Sequence, residues 1–210
     1  MSGRAFVEYC DNVDLVISQE EGDAIVKQYR QGHPELADYN TGIWARAERA
    51  AIAATTQEGK YFQLAGTSIT YHVHRLDSER FWLICTLPSG RHIAYYRPKV
   101  VLGQRFGRTV EKLTYRAEWN GKSYREYTYG GKLVENFVQA TARDICAQGA
   151  LNAEAAGYPV IGLVHDETIT ECDEDFGDHD ELAELLCQVG PEYAGLPVEA
   201  EGGSMYRYGK

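Results

Sequence analysis

Three consecutive residues, His165-Asp166-Glu167, concentrate the chain's chemistry. They end an apolar run from Val160 to Val164, and Thr168-Ile169-Thr170 then resumes a strand-like alternation. Two β-prone runs joined through three polar residues predict a hairpin with a charged tip. Adjacent carboxylates there repel each other, and a cation relieves the repulsion. Magnesium prefers hard oxygen ligands, takes one or two carboxylates from a protein and completes its shell with phosphates and water. The tip therefore reads either as a metal–phosphate site or as a solvated acidic turn, since exposed carboxylates near turns are ordinary. A metal hydrolase built on His165 and Glu167 is a further reading, but no helical H-E-x-x-H pattern or second nearby histidine supports it.

A long helical pattern, GGKLVENFVQATARDICAQGALNAEAAG, precedes the hairpin. It is expected to run from Lys132 to Ala156, about 37 Å at 1.5 Å per residue. Val134, Phe137, Val138, Ala142 and Ile145 give it an apolar stripe. Lys132, Asn136, Gln139 and Arg143 recur at spacings of four, three and four, so they share another face. Amides flanked by cations suit a duplex minor groove, where every base pair offers acceptors and phosphates line the edges. An ordinary solvated stripe has the same pattern.

Beyond the hairpin, the acidic run Asp173 to Glu184 reads as a solvated face, partly in the first turn of a helix whose dipole favours it. Leu196 to Glu201 is expected as one more strand at a sheet edge.

The N-terminal half supplies other elements. Residues 1–16 are weakly patterned; Ser18 and Glu21 then form a capping-box pattern opening a helix that stops near Gly32-His33-Pro34. A second helix is expected from Pro34 to Thr56. Between residues 60 and 101, short alternating runs separated by turn residues predict a small antiparallel meander. His72 and His74 share one strand face there, without a third ligand at useful spacing. Residues 91–129 interleave Arg97, Lys99, Arg105, Arg108, Lys112, Arg116, Lys122 and Arg125 with Tyr95, Tyr96, Phe106, Tyr115, Trp119 and Tyr124. That composition suits a phosphate-tracking surface with stacking platforms, or a flexible, solvated loop.

Charge is divided unevenly. The formal net charge is -10, yet residues 91–132 hold 10 Lys/Arg against 3 Asp/Glu, while residues 133–210 hold 3 against 16. A polyanion responds to such a local field rather than to the total. Five scattered cysteines without C-x-x-C argue for reduced thiols in a cytoplasmic setting. The sequence has no bilayer-spanning run and no signal-peptide pattern at its start.

The helix pattern EN-x-x-QA-x-ARD followed by a strand ending in VHDE resembles the family A DNA polymerases, the bacterial polymerase I and phage replicase class. The phage branch is closest, through YGGKLVEN, QATARDI, AAGYPV and the late AGLP. The resemblance implies that Asp166 is a catalytic ligand to Mg2+, Glu167 a neighbouring catalytic carboxylate, and His165 a contact to the primer terminus. It matches Gln139 to the glutamine that touches the duplex near the primer end, with Asn136, Arg143 and Lys132 as further DNA contacts.

The implied fold is α+β: an antiparallel palm sheet backed by long helices, with a helical fingers-like portion over 1–58, the meander and basic insertion over 59–129, and the palm segment over 130–210. The implied partners are a DNA primer-template and deoxynucleoside triphosphates, in a bacterial cell or phage-infected host. Two-metal phosphoryl transfer needs carboxylates on both sides of the metal pair. No D-x-S-x-x-E segment, the family's motif A, occurs here. MSGRAF resembles the stretch directly after the family's nucleotide-gripping motif B. The expectation is therefore a segment inactive alone and completed by a partner chain or a preceding segment carrying motifs A and B. The alternatives are a non-catalytic DNA-binding remnant and a broken reading frame.

Overall fold

The computed structural model describes residues 2–105 and 107–208, arranged as two units: residues 2–85 with 94–136, and residues 86–93 with 137–208. The first unit opens with α1 (Gly3–Asp11), whose N-terminus is capped by the Ser2 hydroxyl accepting from Ala5 N–H. The second helix, α2 (Gln19–Gly32), has the expected capping box: Glu21 N–H donates to Ser18 Oγ at 3.2 Å and Ser18 N–H to Glu21 Oε2 at 2.8 Å. The single helix expected over residues 34–56 is instead two, α3 (Pro34–Ala37) and α4 (Ile43–Thr56). Asp38 divides them. Its Oδ1 accepts from Asn40 N–H at 2.9 Å and Thr41 N–H at 2.7 Å, and this local turn competes with helix hydrogen bonding.

Ala47, Ala51 and Ala54 form the buried stripe of α4. Strands β1 (Phe62–Gln63), β2 (Thr70–Arg75), β3 (Phe81–Thr86), β4 (His92–Arg105), β5 (Arg108–Trp119) and β6 (Lys122–Thr128) pair in sequence order as one six-stranded antiparallel sheet. Tyr71, Val73, Leu83, Cys85, Tyr95, Leu113 and Thr128 are buried on one face, and Thr114 is buried on the other. The alternation puts His74, Trp82, Tyr96 and Arg116 on the opposite face. The basic block is therefore strand rather than loop. Its cations occupy the outward positions of long strands, which hides the alternation in a composition read. A register irregularity between Tyr96 and Lys99, with Arg97 at φ +46°, marks a bulge that bends β4.

The long helix α5 (Gly130–Ala156) starts in the first unit and continues in the second. Leu133, Val134 and Phe137 are buried near its start, and Ala150 and Ala153 near its end. Val138, expected in the apolar stripe, is 51% exposed because it lies beyond the edge of that buried arc. In the second unit, Gly157 at φ +96° ends the helix. Its N–H donates to Glu154 O at 3.1 Å, and Tyr158 N–H to Ala153 O at 3.0 Å, the paired bonds of a Schellman cap.

Strands β7 (Val160–Val164) and β8 (Glu167–Thr170) form a separate two-stranded sheet. Asp178 caps α6 (His179–Leu186), and Pro191–Tyr193 is a single 3-10 turn. Leu196 to Glu201, expected as a strand, is not one: Pro197 removes a ladder donor. The architecture is mixed α+β. No helix among the described residues is long and apolar enough to cross a membrane.

Candidate functional site

The hairpin turn consists of two residues, His165 and Asp166; Glu167 already belongs to β8, opposite Val164. His165 has φ +57°, whereas Asp166 does not have a positive φ. A positive φ at the first central residue of a two-residue hairpin turn marks a position that normally recruits glycine, asparagine or aspartate. Histidine in that conformation is uncommon and costs about 1–3 kcal/mol. The turn thus holds an imidazole where a glycine would be less strained, directly before an exposed aspartate.

Several contacts fix this hairpin within its unit. Val160 N–H donates to Glu154 Oε1 of α5 at 2.5 Å, and Glu171 N–H to Pro159 O at 3.1 Å closes its base. Gly162 faces Ile169, where an added Cβ would approach Ile169 Cδ1 to 3.4 Å. The next helix is bound to α5 at two points. Asn152 Nδ2 donates to Leu185 O at 3.1 Å and Gln188 O at 2.8 Å, and Gly149 admits the Leu186 backbone, whose oxygen would lie 2.8 Å from an added Cβ. Asp144, also on α5, receives Ser89 Oγ at 2.6 Å and the Arg91 guanidinium, and Arg91 Nη2 donates to Ala140 O at 2.6 Å. The aspartate of the ARD triplet is therefore a clamp on the loop over residues 86–93.

Asp166 is exposed and has no hydrogen bond or ion pair among the described residues. Glu167 is half-buried, and its Oε2 accepts from the Tyr208 hydroxyl at 3.0 Å. That bond to a carboxylate, with lesser desolvation, raises the Tyr208 pKa above its ordinary value. Tyr208 was not legible in the sequence, for it lies far along the chain from Glu167 and nothing local links them.

The helix residues divide into two pairs. Gln139 and Arg143 are exposed, without a hydrogen bond or ion pair among the described residues. Lys132 and Asn136, in the first unit, are engaged: Lys132 Nζ pairs with Glu126 Oε1 at 3.2 Å, and Asn136 Nδ2 donates to the Tyr95 hydroxyl at 3.0 Å. The hydrogen bond from Lys132 to Glu126 raises the lysine's pKa. Burial pushes Tyr95 far above the ordinary tyrosine value despite the hydrogen bond from Asn136.

Among the described residues no three His, Cys, Asp or Glu come together as a metal-holding group. One open carboxylate, Asp166, fits a single Mg2+ that also takes phosphate and water ligands. It does not fit a metal pair by itself. His72, considered above as a metal ligand, instead stacks on Tyr61 with ring centroids 4.4 Å apart, and His74 lies 6.4 Å from Trp82.

Over 191 residues, 90% of its length, the chain is 34% identical to a protein named DNA polymerase from Bacillus phage SP02. This sequence is similar to part of a phage DNA polymerase. The matched region spans 28% of that relative's length. No protein-family model matches the chain, and no solved structure matches it.

Proposed function

We propose that this chain is the part of a family A, template-directed DNA polymerase that supplies one metal-binding aspartate and the helix that tracks the duplex near the primer end. The observation that carries this reading is Asp166: an open carboxylate on a two-residue turn, preceded by a histidine in a left-handed conformation that glycine would adopt more readily. Strain kept at a turn tip is a mark of functional sites. The 34% identity to a phage DNA polymerase supports the same assignment.

In this reading Asp166 would hold Mg2+, which would neutralise phosphate charge in transfer of a nucleotide to the primer 3′-hydroxyl with release of pyrophosphate. Glu167, restrained by Tyr208, keeps a second negative group beside the aspartate. His165 reaches the primer terminus, while Gln139 and Arg143 offer an amide and a cation to the duplex minor groove and its phosphates. Lys132 and Asn136 are engaged with Glu126 and Tyr95 in this structure. The opposing carboxylate comes from another segment, in the same polypeptide or a partner chain, because Asp166 alone does not hold two metals.

Primer extension with Mg2+ and four nucleotides tests this. The chain mixed with a polypeptide carrying D-x-S-x-x-E and the nucleotide-gripping helix should extend primers, and Asp166→Ala should abolish that extension. The second reading, DNA binding without catalysis, is favoured by the cationic sheet face of the first unit. Primer-template binding with no extension in any mixture would select it.

A further inference from the structure

The six-stranded sheet buries one face. Tyr71 and Val73 of β2, Leu83 and Cys85 of β3, Tyr95 of β4 and Leu113 of β5 are buried. An antiparallel sheet of this kind commonly has one solvated face, and here the second face, around a buried Thr114 and half-buried Trp82 and Arg125, bears an ordered row of rings and cations. The His74 and Trp82 rings lie 6.4 Å apart with an interplanar angle of 29°, and Trp82 and Tyr96 lie 5.6 Å apart at 37°. Tyr96 pairs in register with Arg116, and Arg116 with Arg125, so five adjacent strands contribute one residue each. Lys99 and Lys112 occupy the same face through their partners Thr114 and Val101.

Carboxylates do not balance these charges. Glu79 pairs with Arg97, and Glu118 lies at the far end of β5 on this face. Among the described residues Arg116 donates to Ser123 Oγ, at 3.4 Å. Arg125 Nη1 donates to Arg97 O at 3.1 Å and Thr114 Oγ1 at 3.0 Å, both neutral acceptors. Neither arginine meets a carboxylate among the described residues. Burial, then the neighbouring Arg116 and Arg97 charges, lower the Arg125 pKa, so an anion placed there relieves an existing repulsion.

We propose that this open face is a track for single-stranded nucleic acid, with bases stacking on Trp82 and Tyr96 and phosphates lying against Arg116 and Arg125. Aromatic side chains beside a cationic path are the physical requirements for binding unpaired strands, because every base offers a stacking face. A duplex hides those faces, so the ring row favours the single strand. The track is independent of the hairpin's catalytic role, and Asp166→Ala should leave it intact.

The test is fluorescence anisotropy with the full chain and labelled oligo(dT), oligo(U) and a duplex of matched length, at several salt concentrations. Single strands, DNA or RNA, should bind more tightly than the duplex. Trp82→Ala should weaken single-strand binding by roughly tenfold, and Trp82→Phe should keep most of it. Arg116→Gln should flatten the logarithmic salt dependence by about 0.7. Arg116→Gln touches only an exposed side chain and therefore decides the matter even if Trp82→Ala does not fold. Single-strand binding indifferent to Arg116→Gln, or a preference for duplex, would overturn the proposal.

Discussion

The six-stranded sheet and the β7–β8 hairpin are both antiparallel, yet they are held in opposite ways. The sheet has its own core, with Tyr71, Leu83 and Leu113 essentially inaccessible and the Ala47–Ala51–Ala54 stripe of α4 buried in the same unit. Every residue of the hairpin strands is half-buried or exposed, including Ile161 at 62% and Leu163 at 42%. A two-stranded ribbon of this kind is marginal alone. Its position is imposed by the Glu154 carboxylate on its first strand and by the Schellman cap and Pro159 that lead into it. The charges differ as well: the sheet's open face is cationic, whereas the hairpin carries carboxylates at its tip. The lesson is a division of labour. One region is a platform held by its own buried residues. The other is a chemically loaded turn whose precision depends on the helix before it.

The largest expected effect sharpens this contrast directly. Leu83→Ala should cost about 2–5 kcal/mol in denaturant unfolding, because a fully buried side chain leaves a cavity. Leu163→Ala, at a partly exposed position, should cost about 0.5 kcal/mol or less. Equal costs would erase the distinction. Gly149→Ala comes next, at about 1–3 kcal/mol, since its Cβ would press on the Leu186 backbone. Proteolysis confined to the segment containing α6 would report it.

Alkaline pH should reach the platform. Burial raises the Cys85 thiol from about 9 to about 11, so the folded state favours the neutral form. That contribution is fully present below pH 9 and is lost as pH rises through about 11, and Cys85→Ala should remove this part of the pH dependence of melting. Thiol reagents should label exposed Cys172 at once and buried Cys85 only on unfolding. A small effect of opposite sign belongs to the tip. His165→Gly should stabilise the hairpin by up to about 1 kcal/mol by relieving the left-handed histidine, while slowing primer extension if the proposed role holds. A destabilised His165→Gly protein would show that the turn is not strained.

The capping box at Ser18 and Glu21, the long helix and the hairpin were legible because each rests on short-range chemistry: a side-chain cap, a 3.6-residue period, two β-prone runs around a polar turn. The break at Asp38 was not, since helix periodicity continues on both sides of a turn made by one carboxylate oxygen. The long strands from residue 92 to 128 were obscured by arginines and lysines at their outward positions. At the candidate site, the charged turn was legible from residue types. Its two-residue length, the left-handed histidine and the Tyr208 bond to Glu167 depend on backbone geometry and a distant segment. Lys132 and Asn136 show the limit of spacing arguments: helical period gives them a face but not their partners, Glu126 and Tyr95.

The most direct measurement of the proposed role is single-turnover primer extension by the chain mixed with a polypeptide carrying D-x-S-x-x-E and the nucleotide-gripping helix, comparing wild type with Asp166→Asn at matched primer-template occupancy. The expected result is loss of extension by about a thousandfold or more, with primer-template binding changed less than about twofold, as a metal-holding carboxylate requires. Extension by Asp166→Asn at the wild-type rate would contradict it and leave the hairpin an acidic turn with no part in the chemistry.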